Sequence, residues 1–293
     1  MHVGISGFFG GSAKRDMGFA REYGQCAEEL GFASLYCPEH VVFFPTYESK
    51  YPYTADGNPG FGPTIGLYDP LVVSTVVGAA TTTLRLVTSV MILPERPALL
   101  TAKEVMCVDH ACGGRFELGV GVGWSSEEYA ALGVPFEHRG SRCDEYIEAM
   151  RLAWTQDRAS YHGRFVEFDD VVLLPHPVRG NITILIGGES APAMRRAVKL
   201  ADGWYGWWPA GSLEEHVEHL DAEFDRQGRK RDDSFSMRIG VPLGVDQYEL
   251  AAERAGIARS LGFDEFVVGA GVPTRGFDQY LKRWAEALQL SKA

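Results

Sequence analysis

The sequence alternates short β-branched runs with stretches of helical period, and it does so eight times from end to end. "HVGIS", "ASLYC", "LRLVTSVMI", "RFELGVGVG", "ITILIGG", "GWYGWW", "SFSMRIGVPL" and "DEFVVGAG" have the length and content of strands. Between them apolar residues recur at helical spacing, as at Phe19, Tyr23, Cys26 and Leu30, or at Tyr146, Ile147, Met150 and Trp154. Strands that alternate with helices pair in parallel, and eight such units predict an α/β fold, the (β/α)8 TIM barrel. An open doubly wound sheet is the alternative that the same alternation permits. "LGFASLYC" and "LGFDEFVV" repeat one stop signal, in which a glycine such as Gly31 closes a helix before the next strand.

Two stretches interrupt the rhythm. Residues 38–68 form a long connection rich in Gly, Pro and aromatics, without helical period, as expected of a binding loop or lid. Residues 159–181 contain "SYHGRFVEFDDVVLLPHPV", which predicts a short inserted hairpin. No linker composition divides the chain, so a single barrel domain over 1–293 is expected.

The net charge of -11 argues against general binding to nucleic acid or to anionic membranes. No apolar run reaches the ~20 residues of a membrane span, and no signal-peptide pattern opens the sequence. The five cysteines include no CxxC pair, which points to a reduced, cytoplasmic protein. No grouping has metal-ligand spacing: Cys107 and Cys112 diverge on a helix, and His216 and His219 belong to an acidic, solvated face.

In this barrel, chemistry gathers at the carboxyl ends of the strands. Strand two ends in "CPEH", bringing Glu39 and His40 to the rim, where a carboxylate can orient a proton-exchanging imidazole. A hydrogen-bonded pair anchoring the long loop is the structural alternative. Strand three ends in "TSVMILP", with Ser89 and Val90 at the mouth. Strand four ends in "GVGVGW"; the alternating Gly119, Gly121 and Gly123 would share one face and leave a flat floor, with Trp124 at its lip. Strand five ends in "IGGESAPAMRRAV", where Gly187, Gly188 and Ser190 precede a helix N-terminus able to hold an anion, near Arg195 and Arg196.

Taken together, "LGFASLYCPEH", the long segment from "LRLVTSVMILPERP" through "GVGVGWSSEEYAALGVPFEHRG" to "AMRLAW", and "ILIGGESAPAMRRAVKLADGWYGW" resemble the luciferase-like monooxygenase superfamily, especially its coenzyme F420-dependent branch. The resemblance runs to about Trp208, and the last third matches only as generic barrel units. It implies a bacterial luciferase-like barrel, usually a homodimer, whose insertions shape a flavin or deazaflavin pocket. It further implies a non-prolyl cis bond at Ser89–Val90, bulging against the flat ring. By the same implication His40 sits near the redox carbon with Glu39 beside it, Gly121, Gly123 and Trp124 border the ring, and Gly187, Gly188 and Ser190 take the phosphate. The sugar-phosphate dehydrogenases of this branch carry a glutamate where Trp124 stands, which disfavours a sugar-phosphate substrate.

The expected function is therefore an oxidoreductase that passes a hydride between F420 and a small, fairly apolar organic substrate, with His40 and Glu39 as catalytic residues. An FMN-dependent monooxygenase of the luciferase-like type is the first alternative, and a non-catalytic flavin or deazaflavin carrier the second. A Schiff-base aldolase is disfavoured, because no lysine ends a strand.

Overall fold

The stop signal Leu-Gly-apolar recurs at three helix ends. Gly31, Gly133 and Gly262 adopt φ of +87°, +71° and +78°. The next residue's N–H reaches back to close the helix: Phe32 to Ala27, Val134 to Tyr129 and Phe263 to Ala258, at 3.0, 2.9 and 3.1 Å. Each turn satisfies orphan carbonyls; after Gly31 and Gly262 a strand follows within a few residues, whereas Gly133 leads to another helix. The third instance, at Gly133, ends a short helix absent from the periodicity pattern.

The computed structural model describes residues 1–10, 14–62, 64–232 and 234–291. In chain order the elements are β1 (His2–Ser6), α1 (Met17–Glu29), β2 (Ser34–Cys37), α2 (Pro70–Gly78), β3 (Arg85–Thr88), β4 (Met91–Ile92), α3 (Ala98–Ala111), β5 (Phe116–Gly121), α4 (Ser126–Ala131), α5 (Arg139–Thr155), β6 (Ala159–His162), β7 (Glu167–Val171), β8 (Thr183–Gly187), α6 (Ala191–Leu200), β9 (Gly203–Trp207), α7 (Glu214–Gln227), β10 (Ser236–Leu243), α8 (Tyr248–Ser260), β11 (Glu265–Ala270) and α9 (Phe277–Ala287). Parallel pairing runs β3-β2-β1-β11-β10-β9-β8-β5, and β3 pairs with β5 to close the ring. With β4 continuing β3, this is a closed barrel of eight parallel staves, the (β/α)8 fold expected from the alternation.

The inserted hairpin is present as antiparallel β6 and β7. Between residues 38 and 69 no helix or strand forms among the described residues. No helix among the described residues is long and apolar enough to cross a membrane.

The barrel is plugged from its amino end. Arg85, Glu117, Arg238 and Glu265 form a buried ion network there, with Arg85 3.2 Å from Glu117 and 2.8 Å from Glu265, and Arg238 paired to both acids. Above it Tyr36 stacks on Tyr205 with ring centres 5.2 Å apart, amid Val87, Leu185 and Val267. A filled lower half confines any ligand to the carboxyl mouth.

Candidate active site

The third stave breaks at the mouth. β3 ends at Thr88, β4 begins at Met91, and the Ser89–Val90 peptide between them is cis. The Ser89 N–H donates to the Cys37 carbonyl at 2.8 Å, tying the break to β2. Val90 stands half-buried at the floor of the mouth. A Cβ on Gly121 would lie 2.7 Å from Val90 Cγ2, and one on Gly187 2.6 Å from Val90 Cγ1. A Cβ on Gly119 would lie 2.0 Å from the Thr88 carbonyl oxygen. The glycines thus admit the bulge of the third stave; the floor they were expected to leave flat is filled by Val90. Gly123 departs from the expected shared face: it lies beyond β5 with φ +65°, and a Cβ there would meet Ile92 Cγ2 at 2.9 Å.

Glu39 and His40 are neighbours in sequence but not partners. His40 Nδ1 lies 2.7 Å from Glu128 Oε2, and Glu128 Oε1 accepts the Val41 and Val42 N–H groups at 2.6 and 3.3 Å. Glu39 turns the other way, where it accepts the Ile92 N–H at 2.5 Å and the Arg96 guanidinium at 2.5 and 3.2 Å. The expected pairing of Glu39 with His40 is corrected accordingly, since consecutive side chains leaving a strand point apart. Burial pushes the Glu39 carboxyl up, and Arg96 and the Ile92 N–H pull it back. Arg96 also holds Asp69 at 2.5 Å, so one guanidinium joins the two ends of the long connection.

That connection folds over the mouth. Glu127 accepts the Glu48 and Ser49 N–H groups at 2.6 and 2.9 Å, and Ser49 and Ser126 share a hydroxyl bond of 2.8 Å. Its aromatic side chains enclose the site. Trp124 meets His40, Tyr47 and Tyr51 with ring centres 5.9, 4.9 and 5.2 Å away, and Phe61 lies 5.9 Å from His40 and 5.7 Å from Tyr51.

At the carboxyl end of β8, Gly188 is part of the scaffold: its N–H donates to the Tyr205 carbonyl at 3.1 Å and its carbonyl accepts the Trp204 indole N–H at 2.8 Å. Ser190 caps α6, accepting the Ala193 N–H at 3.3 Å. Glu189 accepts the Trp207 N–H at 2.6 Å, and burial pushes its carboxyl up. Of the two expected cations, Arg196 is neutralised by Asp144, while Arg195 stands exposed 4.0 Å from Glu223. His216 is not on a solvated face, because its ring packs edge-on against Trp204 at 5.6 Å.

Glu128 and Arg96 are the site residues that the strand-end survey missed. Glu128 carried a local signal: Ser125 and Glu128 form the S-x-x-E pattern of a helix start, and Ser125 Oγ does accept the Glu128 N–H at 3.2 Å. The carboxylate leaves the cap for His40, which no local pattern encodes. Glu95 is a third buried acid here, with neither oxygen hydrogen-bonded among the described residues. Burial and the Glu128 and Glu39 charges, opposed by Arg96, push it up to about 9.

A closed parallel barrel with a bulged third stave and an aromatic-roofed mouth is a (β/α)8 barrel with its candidate site at the carboxyl rim. The family described as luciferase-like monooxygenase matches residues 1–289, and the chain belongs to it. An uncharacterized protein of Mycobacterium tuberculosis is 38% identical over 261 residues, 89% of this chain and 88% of that one. The FMNH(2)-dependent dimethylsulfone monooxygenase of Pseudomonas putida is 34% identical over 250 residues, 84% of this chain and 61% of that one. The coenzyme F420 dependent tetrahydromethanopterin reductase of Methanopyrus kandleri shares the fold, with a TM-score of 0.73 and 14% identity over 98% of both chains.

Proposed function

We propose that the protein is an F420-dependent oxidoreductase that moves a hydride between the deazaflavin and a small, largely apolar organic molecule. The observation that carries this reading is the His40–Glu128 pair at 2.7 Å. Nδ1 is fixed by the carboxylate, and among the described residues Nε2 has no hydrogen-bond partner, leaving it to exchange a proton at the mouth. Glu128 orients the ring and balances the imidazolium charge when His40 holds that proton.

The residues present fit a tricyclic cofactor. Val90, half-buried between Gly121 and Gly187, offers an apolar prop to one face of a flat ring. At the Ser190-capped end of α6 the Ala191 N–H is the first-turn donor left for an anion, since Pro192 has none and the Ala193 and Met194 N–H groups are held by Ser190. Bound deazaflavin supplies hydride chemistry at one ring carbon without forming a flavin's oxygen adduct. The aromatic roof excludes water while the protein positions both reactants.

Titration of purified protein with F420 and with reduced FMN, followed by absorbance and fluorescence, tests the assignment. Binding of FMN without an F420 response overturns it. The Pseudomonas putida relative favours that second reading, a reduced-flavin monooxygenase built on the same mouth. His40→Ala separates either enzyme from a mere carrier, since turnover should be lost while ligand binding is largely kept.

A further inference from the structure

The Trp124 indole Nε1 is buried and, among the described residues, has no hydrogen-bond partner. Native structures leave few such groups, because a buried unmade hydrogen bond is destabilising. The indole is not in a random piece of core. It sits within the ring of His40, Tyr47, Tyr51 and Phe61 that roofs the mouth. Tyr47 and Phe61 also wall a cleft of about 410 Å³ in the long connection, whose charged residues Glu48, Lys50 and Asp56 stay exposed. Trp124 is not part of that cleft's lining but touches it through the Tyr47 ring, 4.9 Å away.

We infer that the Trp124 indole N–H is the substrate-binding donor of this site, and that the substrate is a planar, uncharged molecule bearing a carbonyl-type oxygen that accepts from it. The inference rests on the redox reading of the mouth and adds the substrate class. An ion would meet only the His40–Glu128 pair, whose charges already balance each other, and would lose its hydration among these rings. An apolar hydrocarbon would leave the indole N–H unmatched, so the acceptor oxygen is what the site selects.

The test uses acetophenone and α-methylstyrene, which have the same shape but carry a carbonyl oxygen or a methylene. The chain has six tryptophans, and the Trp124 indole resonance is assigned by its loss in Trp124→Phe. Acetophenone should move that proton downfield and α-methylstyrene should not. Trp124→Phe should weaken acetophenone binding about tenfold and leave α-methylstyrene binding unchanged. Equal responses to the two probes, or unchanged acetophenone affinity in the variant, overturn the inference. Should the variant fail to fold, the wild-type affinities decide: acetophenone should bind about tenfold more tightly than α-methylstyrene, and equal affinities overturn the inference. F420 and reduced FMN are titrated into the same preparation. Cofactor binding without the selective Trp124 shift overturns this inference only, whereas the shift without either cofactor supports the donor role and overturns the redox reading.

Discussion

His40 Nδ1 and Glu128 Oε2 lie 2.7 Å apart across 88 residues of sequence, joining the end of β2 to the short helix α4. The contact does two things at once. It fixes the imidazole tautomer, and through the Val41 and Val42 N–H groups it fixes the first residues of the roof. Glu128→Gln keeps the shape and removes the charge. We expect turnover to fall about 100-fold. The double variant with His40→Ala should be no slower than His40→Ala alone, since the pair acts as a unit. Steady-state kinetics on the four proteins check this.

Glu95 makes folding pH-dependent in an unusual direction. Burial and the neighbouring Glu128 and Glu39 charges, opposed by Arg96, push it from the ordinary 4.5 up to about 9. The unfolded chain releases this proton near 4.5 and the folded one holds it to about 9, so its contribution to stability declines as pH rises between those values. Glu95→Gln cannot ionise. It should raise the thermal midpoint at pH 8 and change it little at pH 4, read by calorimetry at both values.

Glu127 works in the opposite sense. Burial would raise it, but N–H groups of Ser49, Glu127 itself and Glu48, with the Ser49 hydroxyl, bring it down to about 2. Its hold on the roof is therefore full above the ordinary 4.5 and is lost as pH falls through about 2. Glu127→Gln should speed amide exchange at Glu48 and Ser49 about tenfold while exchange in the barrel strands is unchanged.

Arg96 neutralises Glu39 at one end of the roof and Asp69 at the other. Arg96→Met leaves Glu39 buried without a cation, which should destabilise the fold by about 3–5 kcal/mol in urea titration. Adding Glu39→Gln should recover part of that loss.

Gly121→Ala would bring a methyl to 2.7 Å from Val90 Cγ2. Overpacking of this kind destabilises by about 1–3 kcal/mol. Combining it with Val90→Ala makes room for the methyl, so the double variant should be more stable than Gly121→Ala alone. Chemical denaturation of the three proteins tests the relation.

The barrel was legible in the sequence because its signals are local. The strand runs, the helical spacing and the Leu-Gly-Phe stops all describe short segments, and they lie where expected except that the third strand breaks at Ser89–Val90 and the fourth ends at Gly121. The roof was legible as an irregular stretch from 38 to 68, and the hairpin as an insertion after α5. The site was legible only by place. His40 and Trp124 meet with ring centres 5.9 Å apart and Val90 packs over Gly121 and Gly187, but the partner of His40 was misjudged, and Gly188 is engaged with Tyr205 and Trp204.

The order of eight staves, and hence the rim on which any chemistry must sit, followed from the sequence alone, because hydrophobic period and backbone stops act over a few residues. Tertiary structure alone decided that Glu128 rather than Glu39 holds His40, that Val90 occupies the space above Gly121 and Gly187, and that Arg96 ties Glu39 to Asp69. Those are choices of side-chain direction between segments far apart in sequence. They were settled when the ring closed and Glu128, Glu39 and Arg96 found their partners on segments brought together only then.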